Sequence, residues 1–412
     1  MRHALIRPAL LCAVALGAVA AQAGTAGAAT SAPATPAKAQ AAQGPASAIG
    51  PAKVFVSTRG HSGATDNSCS SAGFKSVTEA AAAARQGGAV VVCPGRYRED
   101  VQVLTKRVSV RGRPGAIIDA TGKINGVLVR VSGSTVRGLT VVNATGEGIL
   151  VESARHVTIE SNVVTHNDLG GQPDPVKTSY PECQAQGGIP GDCGEGIHLM
   201  GSSFSTVRDN VSIGNTGGIL LSDETGPTAH NRIAGNIVAN NLFDCGITVV
   251  GHNPKAAPGG KPAPKTAGVY GNLISGNQIS GNGIKGEGAG VVLATGLPGG
   301  AVYDNTVSGN TINGNGMSGV TVHSHVPGQF LNGNVITGNQ IGMNNLNGDT
   351  DFAPHVDKQT TGVLVATVKP LAITVSGNLI VGDHFGIWMT GPVTLHGSHN
   401  TFDGVTVGVA HG

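Results

Sequence analysis

Aromatic residues, charge and long apolar runs are all scarce in this chain. Only 1 Trp, 4 Tyr and 8 Phe occur among 412 residues, and 26 basic against 24 acidic residues leave a net charge of +2. Nucleic-acid binding usually needs basic stripes or aromatic platforms, and a membrane helix needs about 20 consecutive apolar residues, which no segment after the N-terminus supplies. We therefore expect no nucleic-acid partner and no membrane span.

Glycine and aliphatic residues are abundant instead. The chain has 65 Gly and is 40% hydrophobic, and its 21 Pro follow no triplet period. The missing period excludes collagen, and the hydrophobic fraction is too high for a disordered low-complexity chain. A core must therefore be built from Val, Ile, Leu and Ala.

The N-terminus has the pattern of a secretory signal peptide. Arg2 and Arg7 precede an apolar stretch over residues 9–19, which small residues follow. We predict a signal peptide at 1–29, a disordered Ala/Pro-rich linker at 30–52, and a mature protein that is secreted, either extracellular or periplasmic.

Cysteines can persist as disulfides in that compartment. Spacing alone does not determine their connectivity, but we expect the pairs Cys69–Cys93 and Cys183–Cys193. This pairing would leave Cys245 as a free thiol, which we interpret as a small buried apolar residue.

A short apolar element that opens with glycine recurs from residue 126 onward, for example GVLVRVS, GILVES, GIHLMGS and GILLSDE. Its spacing fits a unit of 22–29 residues with three insertions of about 20 residues each. An asparagine follows at an equivalent place in successive units, at Asn162, Asn210, Asn236, Asn277, Asn310, Asn339 and Asn378. Each unit is typical of two or three short strands separated by Gly/Asn turns.

Such units cannot bury their apolar face alone and must stack, which predicts an all-β, single-stranded parallel β-helix. Gly and Asn suit left-handed corners, and Asn side chains can form ladders along the stack. We predict a cap and first coils at 53–125, including a short Ala-rich helix around 75–85 that plugs the end of the stack, and the β-helix proper at 126–412.

The helix followed by VVVCPGRYRED resembles the start of secreted right-handed parallel β-helix proteins of the pectate-lyase-like superfamily. The resemblance covers about residues 54–410 and implies a right-handed coil. It also implies carbohydrate chemistry among lyases, glycosidases, uronate epimerases, esterases, tailspikes and accessory proteins, which fold alone does not separate. The polygalacturonase, pectin methylesterase and epimerase motifs have no close counterpart, so no catalytic residue is transferred.

Strand alternation predicts which candidate residues share the outer face. With the recurrent glycine as position 1, positions 2 and 4 point inward and positions 3, 5 and 7 outward. Because equivalent positions of consecutive coils lie about 4.8 Å apart, Glu224 and His252 should be neighbours. Inserted loops at 168–194, 253–267 and 344–361 flank this face and suggest a groove for a linear glycan.

Candidate catalytic residues on this face are His198, Asp223, Glu224, His252 and Glu195, with Tyr180 in the first loop. Candidate substrate-binding residues are Arg130, Glu152, Lys177, Asp244, His323 and His325. Structural roles remain open for several of them, since carboxylates such as Glu195 and Asp244 also cap corners. No cofactor is required by the pattern, although Asp349 and Asp351 are possible ligands for Ca²⁺ or another divalent metal, together with the two histidines.

Three functions fit these residues. The first is a polysaccharide lyase or related uronate-processing enzyme, with His252 or His198 as base, Tyr180 as acid, and Arg130, a lysine or a metal neutralising charge. The second is a glycoside hydrolase with paired carboxylates such as Glu224 with Asp223. The third is a non-catalytic, secreted glycan-binding or envelope accessory solenoid, which the scarce aromatics and near-zero charge favour. The expected partner in all three is an extracellular polysaccharide.

Overall fold

Short strands in three long sheets account for nearly all regular structure. The computed structural model describes residues 50–168, 194–261, 267–286, 288–295, 298–324, 328–347 and 359–412. Each strand pairs in parallel with the equivalent strand of the coil before and the coil after. The described residues therefore form a parallel β-helix, as the repeat predicts.

Sheet 1 has 11 strands in the described residues, and the nine strands between its first and last belong to the recurrent glycine elements. Its strands are Val101–Val103, Val127–Val129, Ile149–Glu152, Glu195–Met200, Gly217–Ser222, Ile247–Gly251, Val291–Thr295, Val320–Ser324, Thr361–Ala366, Phe385–Thr390 and Val407–His411.

Sheet 2 has 12 strands and sheet 3 has 11 within the same ranges. The strands of sheet 2 are Lys53–Val56, Gly88–Val92, Val108–Gly112, Thr135–Arg137, Thr158–Glu160, Thr206–Arg208, Arg232–Ala234, Leu273–Ser275, Thr306–Ser308, Val335–Thr337, Leu371–Ser376 and Val393–His396. Those of sheet 3 are Gly95–Tyr97, Ala116–Asp119, Thr140–Val142, Val163–Thr165, Val211–Ile213, Ile237–Ala239, Gln278–Ser280, Thr311–Asn313, Gln340–Gly342, Leu379–Val381 and Thr401–Asp403. A three-stranded sheet joins Thr228–Ala229, Val269–Tyr270 and Val302–Tyr303.

The alternation predicted for sheet 1 is confirmed. Positions 2 and 4, such as Ile219 and Leu221, belong to one aliphatic core that runs the length of the stack. Position 3 forms an outward column in which Leu150, His198 and Leu220 are register partners.

The recurrent glycine has a different physical reason from the one expected. A Cβ atom on Gly218 would lie 2.1 Å from the carbonyl oxygen of Gly246, and one on Gly246 would lie 2.7 Å from that of Gly290. Close approach of consecutive coils therefore excludes a side chain here, whereas the left-handed corners lie elsewhere, for example at Gly276 with φ 65°.

The asparagine ladders are confirmed. The side chain of Asn236 donates to Oδ1 of Asn277 at 2.9 Å, and Asn277 repeats the contact to Asn310 at 2.9 Å. This ladder continues through Asn339 and Asn378 to Asn400. Each asparagine also donates to a backbone carbonyl of a neighbouring coil, so the corners are held by fully buried amides.

A helix at Val77–Ala83 matches the predicted Ala-rich segment, and 3-10 turns lie at Cys69–Ser71 and Pro258–Gly260. Ser76 caps the helix by accepting the N–H of Glu79 at 3.2 Å, and Val77, Ala80 and Ala81 pack into the core. That the helix plugs the end of the stack stays a prediction.

Cys69 and Cys93 form a disulfide, as predicted. Cys245 is also disulfide-bonded, so the expectation of a free thiol is wrong. Its partner lies outside the described residues, as do Cys183 and Cys193. Cys245 is buried, which is compatible with either state and explains why composition alone did not reveal the bond. No helix among the described residues is long and apolar enough to cross a membrane.

Candidate functional site

Glu224 and His252 form a buried pair at the ends of two adjacent sheet 1 strands. Ser222 and Val250 are register partners, which brings the turns after both strands together. Nδ1 of His252 lies 2.5 Å from Oε1 of Glu224. The predicted neighbours are therefore confirmed as a hydrogen-bonded carboxylate–histidine pair.

Both side chains are covered, contrary to the expectation of an open groove. Glu224 is 1% exposed and His252 is 0% exposed. His198 is also fully buried, with Leu150 and Leu220 beside it in its column. Strand alternation predicts the side of the sheet on which a residue lies, but not whether other chain segments cover that side.

A hydrogen-bonded relay extends from this pair across the outer face of sheet 1. The hydroxyl of Ser222 donates to Oε2 of Glu224 and contacts Nε2 of His198 at 2.6 Å. Nδ1 of His198 in turn lies 2.9 Å from Oε1 of Glu147. Since the hydroxyl has one proton, Ser222 accepts a hydrogen bond from His198. We call the five residues Glu147, His198, Ser222, Glu224 and His252 the relay.

The carboxyl groups of Asp223 and Glu224 have pKa values that are pushed apart. Burial raises the pKa of Asp223 to about 6, and the Glu224 charge adds to this effect. Burial alone would also raise the pKa of Glu224, but the charge and hydrogen bond of His252, with smaller effects of His198 and Ser222, lower it to about 2. Adjacent residues therefore favour opposite protonation states at mildly acidic pH.

Asp223 also fixes the backbone beneath the pair. Its Oδ1 accepts the N–H groups of His252 at 2.7 Å and Asn253 at 3.0 Å. Its Oδ2 is buried and has no hydrogen-bond partner among the described residues. The residue therefore acts at least as a structural clamp that orients His252.

Glu195 and Asp244 lie on either side of Gly217. A Cβ atom at Gly217 would come within 3.0 Å of Glu195 and 3.3 Å of Asp244, so a side chain there would be tightly packed between them. The N–H of Glu195 donates to Oε2 of Glu147 at 3.1 Å, which links this acidic cluster to the relay.

Glu147, Glu195 and His198 each offer one ligand atom within 4.8 Å of the others, a spacing suited to a metal ion. However, both oxygens of Glu147 and both nitrogens of His198 already have hydrogen-bond partners. A metal would have to displace those partners, so we interpret this cluster as part of the relay.

The remaining predicted site residues are not assembled with the pair. Arg130 forms a salt bridge at 2.7 Å with Glu152 of the next coil. Met200 lies between Glu152 and Ser222 in the same column, so this salt bridge does not contact the relay. His323 is fully buried in that column, four coils beyond Met200. Four further groups of predictions lie outside the described residues, namely Tyr180, Lys177, His325, and Asp349 with Asp351.

Sequence reasoning missed Glu147 and Ser222. A signal for Glu147 existed, because Gly-Glu-Gly-Ile occurs at 146–149 and again at 194–197, placing Glu147 and Glu195 before the recurrent glycine of consecutive coils. Ser222 carries no such signal, since an isolated serine at a strand end is common.

A family model described as a right-handed beta helix region matches residues 124–257, a segment that contains the whole relay. The chain has the fold of a right-handed parallel β-helix. This β-helix is similar in structure to an alginate lyase from Paenibacillus sp. str. FPU-7, at 15% identity and a TM-score of 0.51, covering 79% of this chain and 96% of the lyase.

The β-helix is also similar to the A-module of a mannuronan C-5 epimerase from Azotobacter vinelandii. Identity is 17% and the TM-score 0.51, covering 81% of this chain and 90% of the module. No curated protein sequence matches the chain. At these identities the likeness shows the fold alone.

Proposed function

We propose that the protein is a secreted enzyme that processes an extracellular polysaccharide, and that its reaction is β-elimination at a uronic-acid residue. The observation that carries this proposal is the buried Glu224–His252 pair at 2.5 Å. A histidine held by a carboxylate is a suitable general base, because the carboxylate orients the ring and stabilises the imidazolium that forms.

In this reaction His252 removes the proton from the carbon next to the sugar carboxylate, which requires the segments that cover its ring to move aside. Electrons from that C–H bond form a carbon–carbon double bond, and the glycosidic oxygen on the adjacent carbon leaves and takes up a proton. Glu224 orients the His252 ring through Nδ1, and in this proposal Nε2 exchanges the substrate proton. His252 is preferred to His198 because Glu224 contacts it directly, whereas His198 reaches Glu224 only through Ser222.

The other relay residues hold Glu224, which in turn orients the base His252. Ser222 donates to the second oxygen of Glu224, and His198 with Glu147 holds Ser222 in place. Burial strengthens these electrostatic contacts relative to water. Glu147, His198 and Ser222 are therefore positioning residues, and the exposed turn Thr225–Gly226–Pro227 next to Glu224 is the side from which a substrate approaches.

The two similar structures named above are an alginate lyase and a mannuronan C-5 epimerase, and they support a polysaccharide as the substrate class. The signal-peptide pattern at 1–29 supports secretion. Tyr180 remains our proposal for the group that protonates the leaving oxygen.

Glycoside hydrolysis is the second candidate, and the opposite pKa shifts of Asp223 and Glu224 favour it. An Asp223 with a pKa of about 6 retains its proton as a general acid needs, while Glu224 stays ionised. Against this role, both oxygens of Glu224 already accept hydrogen bonds, from His252 and Ser222.

Incubation of the secreted protein with a panel of uronic-acid and neutral polysaccharides tests the proposal. Ultraviolet absorbance reports the unsaturated product of elimination, and a reducing-end assay reports every cleavage. We expect both signals together from a uronic-acid polymer. Reducing ends without unsaturated product would show that the reaction is hydrolysis and not elimination. Absence of both signals with every substrate would favour the non-catalytic glycan-binding solenoid.

A further inference from the structure

A row of aromatic rings follows one corner of the coil, although aromatics are rare in the sequence. His156, Phe204 and His230 stack with ring centroids 5.4 and 5.0 Å apart, and all three are exposed. The row continues inward through Tyr270 and Tyr303, which are buried. Stacking of residues from successive coils thus assembles a continuous platform from aromatics that are far apart in the sequence.

A cleft of about 570 Å³ opens along the exposed half of this row. Its walls come from four consecutive coils, which span about 14 Å at the strand spacing of parallel sheets. One wall is Thr225–Gly226–Pro227, the turn that directly follows Asp223 and Glu224. The cleft therefore adjoins the relay at Glu224.

The cleft is cationic. The guanidinium of Arg155 lies 5.0 Å from the centre of the Phe204 ring. Its positive charge also opposes the rise that burial causes in the pKa of Tyr270. Arg155 has no carboxylate partner among the described residues, and no residue that lines the cleft is acidic. Every other cleft wall is neutral or a histidine, so Arg155 is available to bind an anion.

Phe204 is an exposed aromatic residue with a left-handed backbone. Its φ is 56°, in the left-handed region that is costly for a residue with a bulky side chain, and its ring is 42% exposed. Neither burial nor backbone preference accounts for phenylalanine at this corner. His156 and His230 share this left-handed conformation, with φ 57° at each, so it belongs to the repeated corner.

We propose that this cleft is a polysaccharide subsite that binds a sugar residue bearing a carboxylate. The sugar ring packs on the face of Phe204, and Arg155 pairs with the carboxylate through its planar donor fork. The assignment of the bound polymer as the enzyme's substrate rests on the proposed function, whereas the binding itself does not. The subsite holds the chain beside the turn that leads to Glu224 and His252.

Calorimetric titration with short uronic-acid oligosaccharides tests the subsite. The His252→Gln protein is used so that cleavage does not interfere, and a parallel titration in the wild-type background, with product monitored, covers poor folding of that variant. Adding Arg155→Gln should weaken binding about tenfold or more, because a charged contact is lost. Adding Phe204→Leu should weaken it by up to about tenfold, because the flat ring face is lost.

The matched control is Arg111→Gln, which removes an exposed arginine of sheet 2 that lies two coils before the coil of Arg155 and does not line the cleft, and it should leave the affinity unchanged. Neutral oligosaccharides of the same length should bind more weakly than the acidic ones and be insensitive to Arg155→Gln. Equal affinities of the Arg155→Gln and parent proteins for the acidic oligosaccharide, or equal affinity for neutral ones, would overturn the subsite. Calorimetry measures binding and the product assay measures turnover. Failure of the subsite would appear in the first measurement, and failure of the proposed function in the second.

Discussion

At the scale of single residues, the buried charges of the relay depend on one another. Glu224 keeps its charge with 1% exposure because His252 and Ser222 occupy its two oxygens. A buried carboxylate is tolerated only when it is paired and hydrogen-bonded in this way. Changes at this pair should therefore affect stability as well as turnover.

We predict that Glu224→Gln lowers the free energy of unfolding by about 3 kcal/mol at neutral pH. The pKa of Glu224 is lowered to about 2 in the fold, against an ordinary value of 4.5. Its contribution is therefore present above about pH 4.5 and is lost as the pH falls towards 2. Urea unfolding of both proteins between pH 3 and pH 7 should show a deficit that shrinks with acidity.

Glu152→Gln provides the matched control. This glutamate pairs with the partly exposed Arg130 and lies in the same outward column as Ser222. An exposed ion pair contributes at most about 1 kcal/mol, so this variant should unfold nearly as the wild type does. A Glu224→Gln protein with wild-type stability at pH 7 would show that the Glu224–His252 pair contributes nothing to the free energy of unfolding.

Residue-level prediction from the sequence succeeded where register alone decides. The shared six-residue offset from the recurrent glycine was enough to place Glu224 beside His252. It could not reveal burial, because what covers a sheet depends on segments with no repeat. It also could not select Ser222, since the hydroxyl gains its role only from side chains on other coils.

At the scale of the structural element, one asparagine ladder ends in an aspartate. The ladder of the next corner runs through Asn241, Asn282, Asn315 and Asn344, and Asp383 takes the following place. Oδ1 of Asp383 accepts the N–H of Asn344 at 3.0 Å, but its buried Oδ2 has no hydrogen-bond partner among the described residues. Burial raises the pKa of Asp383 to about 6.

We predict that Asp383→Asn stabilises the protein by about 1–3 kcal/mol at pH 7.5, because an amide can donate where Oδ2 now has no partner. The folded-state pKa of Asp383 is raised, so its favourable protonated form is lost as the pH rises from about 4 through about 6. The gain should therefore be largest above pH 6 and small at pH 4.5, as measured by urea unfolding at both values.

Asn310→Asp is the reciprocal control in the neighbouring ladder. The amide of Asn310 donates to Ile274 and to Asn339, and a carboxylate would bring oxygen against oxygen at both contacts. This variant should be destabilised at pH 7.5. Stabilisation by both substitutions, or by neither, would contradict the ladder account.

The repeat pattern was sufficient to predict these elements, because stacked coils must place equivalent residues in columns. The reason for the recurrent glycine was not predictable in the same way. Its backbone does not need a left-handed conformation, and the clash that excludes a side chain arises only from the carbonyl of the next coil, as at Gly218 and Gly246.

At the scale of the whole molecule, each coil contacts chiefly its two neighbours, so stability varies along the stack. The C-terminal strands at Val393–His396, Thr401–Asp403 and Val407–His411 are half-exposed, whereas the central strand Ile247–Gly251 is fully buried. The relay is attached to these central coils.

We predict that amide hydrogen exchange followed by mass spectrometry is fastest in the last coil and slowest around residues 195–251, because opening the end exposes little core. Uniform exchange along the chain would instead indicate a single cooperative unit. A slow central region would mean that the relay retains its geometry while the end of the stack opens.

The central claim is that the buried Glu224–His252 pair performs chemistry on an acidic polysaccharide, and the direct measurement is the rate of unsaturated product formed from a uronic-acid polymer by the wild-type and His252→Gln proteins. We predict a measurable rate for the wild type and a rate at least about 100-fold lower for the variant, with circular dichroism showing both proteins folded. Equal rates for the two folded proteins, or no product from the wild type with any uronic-acid polymer, would contradict the account.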